Sequence, residues 1–201
     1  MKIAKRKIKK IMAEMTGPEK NQRLAREVSR RRGDHARMLL DLGADVNYRD
    51  SSGWSVLHTA ACNGDAGIVQ TLLKFGADPE NKNENGWSPV YMAVREGFSD
   101  VVSILLNAGT NANMQDVDGW TLLHAAAYNG DTDMMIKLVR AGGDPTLKNK
   151  SGISAIETLE NLYPEKYTDR SQEIIGLYLN ISSLKREDAT GGDAQVVDFN
   201  I

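Results

Sequence analysis

Histidine, cysteine and closely spaced acidic residues are the side chains in this sequence that could bind a metal or carry out catalysis. His58 and His124 lie far apart in the sequence, whereas a metal site needs several converging donors that are usually closely spaced. Cys62 is the single cysteine, and we expect it to be free and inert. The run Asp116-Val117-Asp118-Gly119 has the wrong spacing for a calcium loop and lacks the late glutamate that such a loop requires.

Larger catalytic motifs are also missing from the sequence. There is no glycine-rich phosphate-binding loop, no dinucleotide-binding glycine motif, no nucleophile elbow and no paired Cys-x-x-Cys. We therefore predict that the protein is not an enzyme, takes no metal or other cofactor, and has no small-molecule substrate.

The elements that carry these residues recur at a fixed interval. Gly53-Trp54, Gly86-Trp87 and Gly119-Trp120 are spaced 33 residues apart, and Gly152-Ile153 continues the series. A second set of glycines keeps the same interval, namely Gly43, Gly76, Gly109 and Gly142. Two markers that share one period through four copies indicate an array of repeated units.

One copy identifies the type of unit. The run Asp118-Gly119-Trp120-Thr121-Leu122-Leu123-His124-Ala125-Ala126 resembles the ankyrin repeat, whose signature is Gly-x-Thr-Pro-Leu-His-x-Ala-Ala at this period. The resemblance implies an all-α fold, an ankyrin-repeat α-solenoid of helix-turn-helix units with β-turn or hairpin tips and about five stacked units including caps. It also implies binding rather than catalysis, and a structural role for the signature histidines, which hydrogen-bond to neighbouring turns in this family.

Residue types within each unit fit this fold. Side-chain oxygens that can cap the first helix are found at Ser55, Ser88 and Thr121. A glycine follows each first helix, where the left-handed conformation is favoured: Gly64, Gly97 and Gly130. His58 and His124 occupy the signature histidine position, and Tyr91 replaces the histidine in the middle repeat.

These signals divide the chain into three parts. We predict a basic N-terminal arm or helix at 1–20, an ankyrin-repeat domain at 21–184, and a disordered C-terminal tail at 185–201. The domain comprises a cap at 21–49, repeats at 50–82, 83–115 and 116–148, and a cap at 149–184. The caps depart most from the signature, because an end unit lacks one neighbour and needs a polar outer face.

Charge is distributed unevenly along the chain. Residues 1–37 carry 13 of the 25 Lys and Arg residues and four acidic residues, a balance of +9, so the remainder carries −11. Such an asymmetry is typical of a basic arm with an acidic or membrane partner, or of a solvated capping segment. No signal peptide, disulfide framework or membrane-length apolar run is visible, so we expect a cytoplasmic or nuclear protein.

The predicted binding site is the inner concave surface, where partners of the ankyrin family usually dock. The turn tips and first helices supply it through Trp54, Trp87, Trp120, Tyr128, Arg95, Glu96, Asn63, Asn129, Phe75 and Asp118. The three tryptophans would form a ladder spaced about 10 Å apart, a common helix-packing distance. Alternatively, each indole shields the adjacent turn and helix end.

The sequence is compatible with several classes of function and partner. We expect a monomer that acts as an adaptor for a protein partner. Alternatively, it is a regulatory or targeting subunit, or a binder of an acidic partner through the basic arm. The run from Asp118 to Asp131 resembles part of the ankyrin region of myosin-phosphatase targeting subunits, although their docking motif ahead of the repeats is missing. We do not expect nucleic acid binding, because the repeat body is acidic.

Two further motifs are candidates for modification or docking. Leu39 followed six residues later by Asp45-Val46-Asn47 resembles the site at which asparagines of ankyrin repeats are hydroxylated, which makes Asn47 a candidate. The final residues Phe199-Asn200-Ile201 resemble one class of PDZ-domain ligand, in which a pocket captures the C-terminal carboxylate.

Overall fold

The computed structural model describes the backbone of residues 2–164 and 168–189 and the side chains of residues 6–164 and 169–184. Within this part of the chain there are eleven α-helices and no extended strand. In chain order they are α1 (Lys2–Ala13), α2 (Gly17–Ser29), α3 (Gly33–Asp41), α4 (Val56–Cys62), α5 (Ala66–Lys74), α6 (Pro89–Arg95), α7 (Ser99–Asn107), α8 (Leu122–Tyr128), α9 (Thr132–Arg140), α10 (Ala155–Leu162) and α11 (Thr168–Ala189). The predicted all-α repeat fold is therefore confirmed.

The helices pair into units that stack in one direction. The first helices α2, α4, α6, α8 and α10 each contact the next one along the array, and second helices such as α3, α5 and α7 form an outer layer. Small residues at the first-helix contacts, among them Ala60, Ala93 and Ala126, are fully buried and permit this close approach. The core is consequently one continuous cluster that runs through all units.

The first helix of each of the three full repeats begins after a predicted capping residue. Ser55, Ser88 and Thr121 accept hydrogen bonds from backbone N–H groups three residues later, at 3.2, 3.3 and 3.4 Å. The glycines that end the first helices have the expected positive φ, for example 69° at Gly64 and 65° at Gly130.

The turn tips are joined from one unit to the next by backbone hydrogen bonds. The N–H of Val117 donates to the carbonyl of Asn85 at 3.2 Å, and that of Lys150 donates to the carbonyl of Asp118 at 2.9 Å. Side chains add a parallel series, in which Lys82 Nζ donates to the Gln115 carbonyl at 2.8 Å. These contacts fix the tips of neighbouring repeats in register.

At the N-terminus the first capping helix starts earlier than the predicted boundary at Asn21. Thr16 caps α2 in a reciprocal arrangement with Glu19, so the helix begins at Gly17 with Pro18 in its first turn. The preceding helix α1 packs on the array, because Met12 is only 1 % exposed and belongs to the common core.

A buried carboxylate organises several basic side chains of this N-terminal cap. Glu27 is fully buried and lies 2.6 Å from Arg23, 3.1 Å from His35 and 3.6 Å from Arg32. Burial raises the pKa of Glu27, but hydrogen bonds from His35 and Arg23 outweigh it and leave the pKa below its ordinary value. Part of the basic charge near the N-terminus is therefore structural.

At the C-terminus the last helix extends beyond the predicted end of the cap at residue 184. Helix α11 runs from Thr168 to Ala189, so residues 185–189 of the predicted tail are helical. Ile174 is fully buried, in keeping with a capping function for this helix. The terminal motif Phe199-Asn200-Ile201 lies outside the described residues.

Phe98 marks a difference between otherwise similar repeats. The equivalent positions in the flanking repeats hold Asp65 and Asp131, which cap their second helices, whereas Phe98 makes no capping hydrogen bond. A Cβ atom added at Gly64 would lie 2.6 Å from the Phe98 ring. The ring therefore packs on a glycine of the preceding repeat.

Replacing Gly64 tests how tightly the repeats are stacked. Gly97, in the equivalent turn of the next repeat, serves as the reference position. We expect Gly97→Ala to destabilise by about 1–2 kcal/mol, because its φ is positive but its surroundings are open. Gly64→Ala should cost at least about 1 kcal/mol more, since the Phe98 ring must also move. Urea unfolding of both variants makes the comparison, and equal losses would show that the ring moves aside freely.

Candidate functional site

The three tryptophans lie in equivalent places, directly after a tip glycine and before a first helix. Each indole packs on the residue four positions later, with ring centroids 5.3 Å apart for Trp54 and His58 and 5.5 Å apart for Trp120 and His124. All three indoles are half-buried. Each one thus covers part of its own first helix and leaves part of its surface open.

The residue eight positions after each tryptophan differs between repeats. It is Cys62 in the first repeat, whereas Arg95 in the second places its guanidinium carbon 5.3 Å from the centroid of the Trp87 ring. In the third repeat it is Tyr128, which meets Trp120 edge-on at 6.1 Å and 70°.

The signature histidines connect one repeat to the next. The Nδ1 atom of His58 accepts a hydrogen bond from the Ser55 backbone at 3.1 Å, so Nε2 carries the proton and donates to the Trp87 carbonyl at 2.9 Å. His124 makes the same pair of contacts and donates to the Ile153 carbonyl at 2.9 Å. Burial lowers the pKa of both histidines, which favours the neutral imidazole that this pattern requires.

Tyr91 interrupts this series at the junction of the second and third repeats. Its ring stacks on Trp87, with centroids 5.8 Å apart and planes 8° apart, and remains half-buried where both histidines are fully buried. Burial raises the pKa of the Tyr91 phenol to about 12, so the hydroxyl stays neutral. In the part of the chain that the structure describes, the Trp120 carbonyl accepts only the N–H of Asp116, at 2.9 Å.

A cleft of about 460 Å³ opens at this junction. Aromatic side chains form much of its wall, and polar or charged residues of two neighbouring tips and helices complete it. Its lining consists of Asn85, Trp87, Tyr91, Arg95, Asp116, Val117, Asp118, Trp120, Ala125, Tyr128 and Asn129. We refer to this feature as the aromatic cleft.

Asp116 fixes the two tips that border the aromatic cleft. One carboxylate oxygen accepts the backbone N–H groups of Asp118 and Trp120, both at 2.9 Å, and the other accepts the Trp87 indole N–H at 3.3 Å. Asn129 closes the other side, because its amide donates to the Arg95 carbonyl at 2.7 Å. The cleft is therefore held open by hydrogen bonds across the repeat boundary.

Six of the predicted site residues lie in this cleft: Trp87, Trp120, Arg95, Tyr128, Asn129 and Asp118. Glu96 lies beside it and pairs with Arg95 at 2.8 Å. The remaining three, Trp54, Asn63 and Phe75, are outside the cleft.

Those three make contacts of a structural kind. Trp54 donates its indole N–H to Thr59 at 3.0 Å, and Phe75 packs against the core at the end of α5. Asn63 receives a hydrogen bond from Arg31 on its carbonyl at 2.6 Å. The three predicted residues are therefore not brought together with the other six.

Two lining residues, Tyr91 and Asp116, were not predicted from the sequence to belong to the site. Among the three full repeats, Tyr91 is the one departure from the signature histidine, and that departure is the signal that could have located the cleft. Asp116 belongs to the regular tip pattern, so its contact with the Trp87 indole has no sequence signal of its own.

Asn47 forms a bridge to the next repeat. Its amide nitrogen donates to the Gly76 carbonyl at 3.2 Å, and its amide oxygen accepts the N–H of Asp78 at 2.9 Å. Asn113, two repeats further along the chain, makes the equivalent contacts. Hydroxylation at Asn47 stays a prediction, and any enzyme that modifies it must first release these contacts.

The described residues offer little support for metal or thiol chemistry. No cluster of three or more His, Cys, Asp and Glu residues suited to a metal ion is found within the described residues. Burial and the nearby Glu96 raise the pKa of the Cys62 thiol, which disfavours the reactive thiolate. Across the described helices, none combines the length and apolar character needed to span a membrane.

Stacked helix-turn-helix units with hydrogen-bonded tips define the class of a helical repeat protein. The family model for ankyrin repeats, in three copies, matches residues 8–83 and 57–149. The chain therefore belongs to the ankyrin-repeat family, as the sequence resemblance implied. None of the curated proteins compared with the sequence matches it.

Restoring the signature histidine tests the interpretation of the second junction. We expect Tyr91→His to raise the free energy of unfolding by about 1 kcal/mol, because the new imidazole can donate to the Trp120 carbonyl. Tyr91→Phe keeps the ring without that donor and serves as the control. Thermal and urea unfolding compare the two variants, and no advantage for Tyr91→His over Tyr91→Phe would contradict this interpretation.

Proposed function

We propose that this protein is a non-catalytic adaptor that binds a protein partner on the concave surface of its repeat array, with the aromatic cleft as the centre of the interface. Ankyrin repeats are generally protein-protein interaction modules, which supports the class of function. The exposed aromatic surface at the junction of the second and third repeats supports the location.

The single observation that carries this proposal is the concentration of exposed binding-type side chains in the cleft. Tyr128 is 59 % exposed and Val117 is 49 % exposed, although both are large and apolar. Tyrosine, tryptophan and arginine are the residues most enriched at interface hot spots, and all three types meet here. An exposed apolar group rimmed by polar residues is typical of an interaction surface.

The geometry also supports a preformed site. Trp87 is fixed by Asp116 and Arg95, and Trp120 is flanked by Tyr128 and His124. Side chains that are already ordered lose little entropy on binding, so more of the contact energy appears as affinity. A rigid cleft on stacked helices suits a partner that inserts one projecting side chain.

The proposal is tested by capturing partners from a cell lysate with the full chain and identifying them by mass spectrometry. The double variant Arg95→Ser/Tyr128→Ser should weaken binding of a captured, purified partner at least about tenfold. These positions are preferable to Trp87 and Trp120, whose indoles pack on their own helices and whose removal also affects folding.

A matched control uses the outer surface. Leu179 on α11 is 58 % exposed, close to the value for Tyr128, and Gln70 is exposed on α5. The double variant Gln70→Ala/Leu179→Ser should bind like the wild type. An equal loss of partner affinity in both double variants, or no loss of affinity in the cleft variant, would contradict the concave-surface proposal.

A second candidate function uses the basic N-terminal helix as the binding element of a regulatory or targeting subunit. It is favoured by the exposure of Lys7, Lys9 and Lys10 on α1 together with Ile11, which is 53 % exposed. The triple variant Lys7→Gln/Lys9→Gln/Lys10→Gln keeps the buried Met12 and removes this charge. Loss of partner binding in that variant, with binding retained in the cleft variant, would favour the second candidate.

A further inference from the structure

The charges around the aromatic cleft are not balanced. Arg95 donates through Nε and Nη2 to one oxygen of Glu96, at 3.1 and 2.8 Å, so its charge is met within the protein. Asp116 and Asp118 line the same cleft, and neither forms an ion pair within the described residues. The cleft therefore presents net negative charge, in an array whose residues 38–201 carry a balance of −11.

In the second repeat, the cleft already contains a cation that is bound to a tryptophan ring. There the guanidinium of Arg95 lies over the Trp87 ring at 5.3 Å, an arrangement in which the electron-rich face of the indole attracts a positive charge. Trp120 occupies the same place in the third repeat, but the residue eight positions later is Tyr128 instead of an arginine. Trp87 is therefore paired with the guanidinium of Arg95, whereas the equivalent position beside Trp120 holds no cation.

Two polar groups in the cleft are also available to a ligand. Among the described residues, neither the indole N–H of Trp120 nor the hydroxyl of Tyr91 has a hydrogen-bond partner, and both residues line the cleft. An indole N–H only donates, so it suits the carbonyl oxygen of a peptide. The cleft accordingly combines donors for a backbone with aromatic and acidic groups for a cation.

From this geometry we infer that the aromatic cleft binds a basic segment of the partner protein and takes one arginine or lysine side chain against Trp120 and Tyr128, with Asp118 as its counter-ion. The inference rests on the proposed concave-surface function and adds the chemistry of the partner. An acidic segment is disfavoured, since the only cation of the lining is Arg95, which is engaged by Glu96 and Trp87.

Selection from a library of random peptides on the full chain tests this chemistry. We expect enrichment of peptides that contain arginine or lysine. Changing that residue to glutamine in a resynthesised peptide should weaken binding about tenfold, as expected for a desolvated cation on an aromatic ring. Binding should also weaken as salt is raised, because the aspartate contact is partly exposed.

Variants of the protein assign the effect to the cleft. Asp118→Asn should reduce both the affinity for the basic peptide and its salt dependence, and Tyr128→Ser should reduce the affinity about tenfold. Asp41→Asn removes an equal charge from an exposed position at the end of α3 and should leave binding unchanged.

The outcomes separate this inference from the function on which it rests. Peptides that need Tyr128 but no cation, or that are acidic, would overturn the inference while supporting the concave-surface function. Peptide binding that is unchanged by substitution of Tyr128 and of Arg95 would overturn both the inference and the concave-surface function. Self-association of the protein that competes with the basic peptide would place the basic helix of a second copy in the cleft and overturn the assignment to a different partner protein.

Discussion

The hydrogen bond between a first-helix histidine and the tip carbonyl of the next repeat is the contact on which the arrangement of this protein depends. A single repeat cannot bury its own apolar face, so the units must be held in stacking register. His58 and His124 do this with neutral, fully buried imidazoles that connect a capping residue on one side to a tip on the other. The tip-to-tip hydrogen bonds then align the concave surface that these histidines support.

The candidate site lies where that contact is replaced. At the second junction Tyr91 stacks on Trp87 instead of donating to the Trp120 carbonyl, and the cleft opens beside it. A local departure from the most stable arrangement at a functional site is a general feature of proteins. Asp116 and Asn129 form other hydrogen bonds across this junction, so the two repeats keep their stacking register beside the open cleft.

The sequence was sufficient to predict the fold, because glycines, capping residues and small helix-contact residues are required by the backbone and recur with one period. Which residues line the cleft could be predicted only in part. Trp87, Arg95 and Tyr128 were placed on one surface, but periodicity could not show that Trp54 and Phe75 would lie apart from them. The contact between Asp116 and the Trp87 indole depends on side-chain conformation across a repeat boundary, which the repeat pattern does not encode. The helix ends at Gly17 and Ala189 were also missed, since the terminal units carry the weakest signature.

We expect a partner to bind at the aromatic cleft and not along all three tryptophans. The most direct measurement follows the three indole N–H resonances in ¹H–¹⁵N correlation spectra while the captured partner is titrated into the full chain, with assignment by single Trp→Phe variants. We expect large shifts for Trp120, smaller ones for Trp87, whose N–H already donates to Asp116, and none for Trp54. Shifts confined to Trp54, or no indole shifts on saturation, would contradict it.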